Sequence, residues 1–169
     1  MKNKESLVII LDFDGTCTTH DFPRIGKDIG AAPVLKALTD NGHKIVLFTM
    51  RSDGFKKPYG GATGAPGGPY LTEAVNWFKE NGIPLYGIQS NPTQKHWTSS
   101  PKAHGDVIID DVALGCPLKI NLTLSDKPFV DWSEIEEYCY NRGYIKFTPQ
   151  VDPKDIDYSK VIVIKKKYE

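Results

Sequence analysis

The sequence predicts a single α/β domain built on a parallel sheet with helices on both faces, and three observations predict it. Short apolar runs recur at residues 7–11, 45–48, 85–88 and 107–109. Amphipathic stretches with helix stop signals separate the first three runs. The first, second and fourth runs end directly on Asp12, Thr49 and Asp110, as strands do when they deliver loops to one edge of a sheet. A chain of 169 residues and 18.8 kDa builds one well-buried core and is short for two domains.

Leu7-Val8-Ile9-Ile10-Leu11 is the first strand, and Gly15 beyond it lets the chain turn sharply. After a polar loop (15–30), Pro33 opens a helix with Val34, Leu35 and Leu38 on one face, and Asn41-Gly42 ends it. Residues 45–48 form the second strand. Residues 53–70 are a long loop rich in glycine and proline, without the Gly-Lys-Ser/Thr ending of a phosphate-cradling P-loop. Thr72 then caps a helix through Lys79, with Val75 and Phe78 inward and Gly82 at its end. Residues 85–88 are the third strand, 89–105 an irregular crossover, and 107–109 the fourth strand, ending at Asp110-Asp111. A fifth strand is expected at 119–122. Ser133-Glu134-Ile135-Glu136 reads as a capping box opening a helix to about Asn141. Val161-Ile162-Val163-Ile164 is a last strand at a sheet edge. The core then spans 6–124, and a helix and strand at 125–169 extend it.

Composition narrows the function. Twenty-one basic residues balance twenty-one acidic ones, so no global field draws the protein to nucleic acid or to an anionic membrane. Lys56-Lys57 and Lys165-Lys166-Lys167 are the short basic clusters, the latter read as a solvated tail. Three cysteines, far apart and without a CxxC, argue against a disulfide framework and fit a reducing cytoplasm. Cys17 has no supporting histidine and is read as a small loop residue. The apolar run at 7–11 is too short for a secretory leader or a membrane span.

Asp12 and Asp14 are separated by one residue just past a strand. Two ionised carboxylates held that close repel each other, so a fold that keeps them needs a cation or a shared proton. In a parallel sheet the C-terminal strand ends share one edge, so Asp12, Asp14, Thr49, Asp110 and Asp111 are expected to converge there.

These residues carry a resemblance to the phosphatase side of the haloacid dehalogenase superfamily. Its first motif is matched by Asp12-Phe13-Asp14-Gly15-Thr16, its second by Thr49 in Leu47-Phe48-Thr49-Met50-Arg51, its third by Lys102 in Ser100-Pro101-Lys102, and its fourth by Asp110-Asp111. The match runs over residues 6–118. The resemblance implies a Rossmann-like, doubly wound core of three α/β/α layers. Asp12 would be the nucleophile that forms an aspartyl-phosphate, and Asp14 the general acid and then base. Mg²⁺ would be held by Asp12, Asp110 and the backbone carbonyl of Asp14, with Asp111 a second ligand or the holder of a coordinated water. Thr49 would donate to a phosphoryl oxygen, and Lys102, with Lys95 as competitor, would neutralise the transferred group. Arg51 is read either as a substrate-phosphate ligand or as an ordinary salt-bridge partner, and His43 and His96 as surface residues.

Members of that superfamily choose substrates largely through inserted cap domains, and neither 17–44 nor 50–101 has room for one. The chain therefore resembles the capless class, whose open sites take macromolecular phosphoesters or are closed by a neighbouring subunit, which would make the protein a homo-oligomer. The 53–70 loop, with Arg51, Lys56 and Lys57, is expected to act as a partial lid. The function implied is a Mg²⁺-dependent phosphomonoester hydrolase acting on a sugar phosphate, a nucleotide or a larger phosphoester. Neutral charge disfavours polynucleotide, while Tyr59, Tyr70 and Trp97 would stack on a nucleotide base. The alternatives are a phosphomutase or phosphotransferase, and a non-catalytic binding protein on the same fold.

Overall fold

Residues 6–54 and 67–146 are described by the computed structural model of the protein. Strands β1 (Val8–Leu11), β2 (Lys44–Leu47), β3 (Leu85–Ile88) and β4 (Val107–Ile109) form a parallel sheet in the order β3-β2-β1-β4. The register sets Leu11 opposite both Leu47 and Ile109, so three neighbouring strands end level. From β1 the chain steps outward to β2 and β3, then returns to the other side of β1 to lay down β4. The order therefore reverses between β1 and β4, the place where an open α/β sheet leaves a crevice beyond its strand ends.

Strand alternation divides the core in two. Ile9, Leu11, Ile45, Leu47 and Ile109 pack with α1 (Ala31–Asp40), α2 (Tyr70–Glu80) and α3 (Trp132–Asn141) through Val34, Leu35, Leu38, Ala74, Phe78, Trp132 and Cys139. On the opposite face Ile10 and Val46 pack with Ala103, Val8 and Tyr86. Among the described residues all three helices thus join the first cluster, and the expected second helical layer is not present. The reason lies in handedness. The crossovers β1-α1-β2 and β2-α2-β3 step the same way along the sheet, and right-handed connections then place both helices on one side. The β3-to-β4 connection steps back the other way and supplies Ala103 to the other face; it is an irregular loop with a single 3₁₀ turn at Gln94–His96.

Helix starts differ from the sequence reading in an instructive way. Thr72 lies inside α2 rather than capping it. The cap comes from Asp53, whose carboxylate accepts from the Leu71 and Thr72 N–H groups at 2.8 and 3.0 Å and from the Thr72 hydroxyl at 2.6 Å. Likewise Ser133 lies in the first turn of α3, and Asp131 caps that helix by accepting from the Ser133 N–H at 3.1 Å. The fifth strand is shorter than expected. β5 (Leu118–Lys119) pairs antiparallel with β6 (Phe129–Val130) in a separate two-stranded sheet, and Asn121 turns the chain, its side chain accepting from the Thr123 N–H at 3.0 Å. The expected strand at 161–164 and the central part of the expected lid, with Lys56, Lys57 and Tyr59, lie outside the described residues.

Gly15 is needed for two reasons. Its φ of 78° is a conformation side chains avoid, and an added Cβ would run into the His20 imidazole and lie 2.9 Å from an Asp111 carboxylate oxygen. Gly15→Ala is therefore expected to cost about 1–3 kcal/mol, measured by chemical denaturation. A loss below about 0.5 kcal/mol would mean the loop relaxes freely around the new methyl group.

Candidate functional site

β1 and β4 end side by side, and the next residues are Asp12 and Asp110. The Asp12 N–H still donates to the Ile109 carbonyl at 3.1 Å, so the ladder runs one residue into the crevice and fixes the separation of the two strand ends. One carboxylate oxygen each from Asp12, Asp110 and Asp111 lie within 4.8 Å of one another, and all three residues are partly buried.

Local hydrogen bonding holds these acids in place. The Phe13 carbonyl accepts from the Cys17 N–H at 2.7 Å, and the Gly15 N–H donates to the Thr18 carbonyl at 2.8 Å, closing a tight loop after β1. That loop turns Thr16 between the strand ends, where its hydroxyl donates to Asp12 Oδ2 at 3.4 Å and accepts from the Asp111 N–H at 3.1 Å. Asp110 Oδ1 accepts from the Val112 N–H at 2.9 Å, and His20 Nε2 lies 3.0 Å from Asp111 Oδ2. Burial pushes the Asp12 carboxyl up to about 7; a hydrogen bond from the Phe13 backbone opposes this, while Asp110, Asp14 and Asp111 add repulsion. Cys17 is fully buried, and burial with help from Asp12 and Asp14 raises its thiol far above the usual range, so it is no thiolate nucleophile.

Asp14 stands outside that cluster, near enough to add to the charge around Asp12. Both of its carboxylate oxygens accept from Arg51, from Nε at 2.7 Å and from Nη2 at 2.7 Å. The same guanidinium donates to the Pro23 and Arg24 carbonyls at 3.2 and 2.7 Å and lies over the Phe13 and Phe22 rings, 5.0 and 5.3 Å from their centroids. Arg51 is only 1% exposed. The reading of Arg51 as a substrate-phosphate ligand is corrected accordingly: the guanidinium is buried and four of its five N–H groups donate inside the protein. The Asp14 carboxylate is not part of the three-acid cluster either; the resemblance assigned to the ion its backbone carbonyl, not its side chain.

Thr49, just past β2, is nearly buried. Its N–H donates to Gln89 Oε1 at 3.1 Å, while Gln89 Nε2 donates back to the Thr49 and Arg51 carbonyls at 2.6 and 3.1 Å. Thr49 Oγ1 accepts from the Arg51 N–H at 3.3 Å, which leaves the hydroxyl proton for another acceptor. Gln89 has a φ of 58°, a left-handed turn at the end of β3 that lays its amide across the end of β2. Lys102 is exposed on the crossover, where its N–H donates to Ser100 Oγ at 3.2 Å and its carbonyl accepts from Gln94 Nε2 at 2.7 Å. Lys95 sits in the 3₁₀ turn and lines an open cavity with Ile88, Ser90, Pro92, Thr98 and Ser100 among others. Neither ammonium has a hydrogen-bond or ion-pair partner among the described residues.

Sequence reasoning missed Thr16, His20 and Gln89. Gln89 carried a signal, since it stands after β3 where Asp12, Thr49 and Asp110 stand after their own strands. His20 carried none, for nothing in a loop residue marks a partner 91 positions away. His43 is also corrected: it is buried, with Nδ1 accepting from the Leu7 N–H at 3.1 Å and Nε2 donating to the Tyr144 carbonyl at 2.8 Å, and it braces the far end of the sheet.

No family model matches the chain, and no curated protein matches it. A solved structure is similar to it: that of the conserved protein coded by a locus of Bacteroides thetaiotaomicron, at 28% identity and a TM-score of 0.59, over 82% of this chain and 93% of that one. The likeness supports an α/β fold with a parallel sheet. No helix among the described residues is long and apolar enough to cross a membrane.

Proposed function

We propose that the protein is a Mg²⁺-dependent phosphomonoester hydrolase working through an aspartyl-phosphate on Asp12. One observation carries this reading: Asp12, Asp110 and Asp111, from two halves of the sequence, offer oxygens within 4.8 Å of one another at the crevice between β1 and β4. The donors are all oxygen, which suits a hard divalent cation. Ligands about 2.1 Å from a common Mg²⁺ lie up to about 4.2 Å apart, close to the span found here. Electrostatics supports the same conclusion. A carboxyl pushed up to about 7 is only partly ionised at neutral pH, and a nucleophile must be ionised. Bound at these acids, Mg²⁺ would favour the carboxylate form of Asp12 and screen incoming phosphate charge.

The chain's own groups supply the rest. Asp12 attacks phosphorus and the ester P–O bond breaks. In its protonated form Asp14 would donate to the departing oxygen and then, as the carboxylate that Arg51 holds, take a proton from the water that attacks the phosphoryl-aspartate, releasing inorganic phosphate and regenerating the Asp12 carboxylate and the protonated Asp14. The Thr49 hydroxyl donates to a phosphoryl oxygen, and Lys102 offsets its charge. The decisive assay is phosphate release from a panel of sugar phosphates, nucleotides, phosphopeptides and phosphorylated nucleic-acid ends. At least one class is expected to turn over with Mg²⁺, stop in EDTA and recover when Mg²⁺ is restored. No release from any ester, or release indifferent to EDTA, overturns the reading.

A further inference from the structure

We infer that Arg51 is a positioning residue acting through Asp14: its buried guanidinium fixes where the Asp14 carboxylate stands relative to Thr49. The inference deepens the phosphatase reading, and its kinetic consequences rest on that reading.

An arginine 1% exposed is uncommon, and removing a guanidinium from water is tolerated only when its donors are filled. Here four of the five are filled, by two separate stretches of chain. Two parallel bonds of 2.7 Å clamp Asp14, in the loop after β1. Two more reach the carbonyls of Pro23 and Arg24, and the Phe13 and Phe22 rings cover the planar cation. Such a fork defines both the distance and the plane of the carboxylate it holds, which a point charge does not. The backbone of Arg51 is fixed in turn. Its N–H donates to Thr49 Oγ1 at 3.3 Å, and its carbonyl accepts from Gln89 Nε2 at 3.1 Å.

The outcome is a short rigid link. Thr49, which would meet a phosphoryl oxygen, and Asp14, which would handle the leaving-group proton, are spaced by a single tripeptide whose side chain and backbone are both hydrogen-bonded. Arg51 therefore contributes to the reaction without touching substrate. It holds the separation between two groups that must reach the same phosphoester together.

Two measurements test this. The first needs no turnover: the Arg51 Nε–H resonance of the ¹⁵N-labelled wild-type protein is expected to be protected from solvent exchange, and to lose that protection in Asp14→Asn but not in Asp12→Asn. Exchange as fast as that of a free arginine in the wild type overturns the inference, whatever the enzyme does. The second uses the ester found by the panel. Arg51→Met and Arg51→Lys are each expected to lower kcat about 100-fold with KM changed less than about threefold, because a misplaced proton donor costs turnover rather than binding. In the Asp14→Asn background, Arg51→Met should cost nothing further. A KM rise with kcat retained, a full second loss in that background, or normal kcat in Arg51→Lys overturns the inference. Absence of all wild-type turnover with a protected Nε–H refutes the phosphatase reading and leaves the clamp on Asp14 established.

Discussion

Asp12→Asn is expected to lower kcat on the order of 10⁴-fold or more while raising the melting temperature of the metal-free protein. The loss follows from the proposed chemistry, since an amide oxygen is a poor nucleophile toward phosphorus and no other group offers an equivalent attack. The gain follows from the site's electrostatics. The folded-state carboxyl of Asp12 is pushed up from 3.8 to about 7. Between those values the native state binds more protons than the unfolded chain, so its contribution to stability is full below about pH 4 and is lost as pH rises to about 7. A three-unit shift has an upper limit of about 4 kcal/mol, and the partial exposure of the site reduces this to about 1–3 kcal/mol. Asparagine carries no charge and escapes the loss. In EDTA at pH 8 the variant should therefore melt above the wild type, with the two converging toward pH 4. Mg²⁺ should stabilise the wild type more than the variant. Thermal melts across pH 4–8, with and without Mg²⁺, check this. A variant melting at or below the wild type at pH 8 in EDTA would remove the account of Asp12 as a carboxyl strained by burial, and a kcat within tenfold of the wild type would remove it as nucleophile.

The second large effect concerns a residue far from Asp12 in sequence. Trp132→Ala is expected to destabilise the protein by about 3–5 kcal/mol, and Trp132→Phe by about 1–2 kcal/mol. Trp132 opens α3 at 2% exposure and packs in the main core, so truncation leaves a cavity. Its indole N–H donates to the Thr16 carbonyl at 2.7 Å, and next to it the Val130 N–H donates to the Gly15 carbonyl at 2.9 Å. The 129–132 segment is therefore a buttress under the loop that carries Asp14 and Thr16, rather than a peripheral extension. The phenylalanine variant keeps most of the packing and loses only the bond, so the gap between the two substitutions separates cavity from hydrogen bond. Chemical denaturation measures both. A loss below 1 kcal/mol in Trp132→Ala would rule out the buttress.

The candidate site was unevenly legible. Asp12, Asp110, Asp111 and Thr49 were found by one rule, that polar residues ending apolar runs meet at one edge of a parallel sheet, and the register of β1, β2 and β4 places them there. The same rule would have found Gln89 had it been applied to the third run. Arg51 was visible as a residue but not as a role, because burial and partner choice decide whether a guanidinium faces substrate or protein. The caps failed in a similar way. Thr72 and Ser133 were the right residue types near the right places, yet Asp53 and Asp131 accept the helix N–H groups. The aspartate before α3 was adjacent in sequence, whereas the one serving α2 lies across an 18-residue gap.

By itself, the sequence determined the strand order along the chain, the helix positions to within a few residues, and the identity of the acids at the strand ends. Those are properties of neighbours up to four positions apart, where side-chain periodicity and turn chemistry act directly. Tertiary structure alone decided that the helices gather on one face, that Asp14 is gripped by Arg51 37 positions away, that Gln89 braces Thr49 from 40 positions away, and that Trp132 supports Thr16 across 116. Each of those contacts depends on how a crossover folds back, and a bond between distant residues leaves no mark on the local pattern of either.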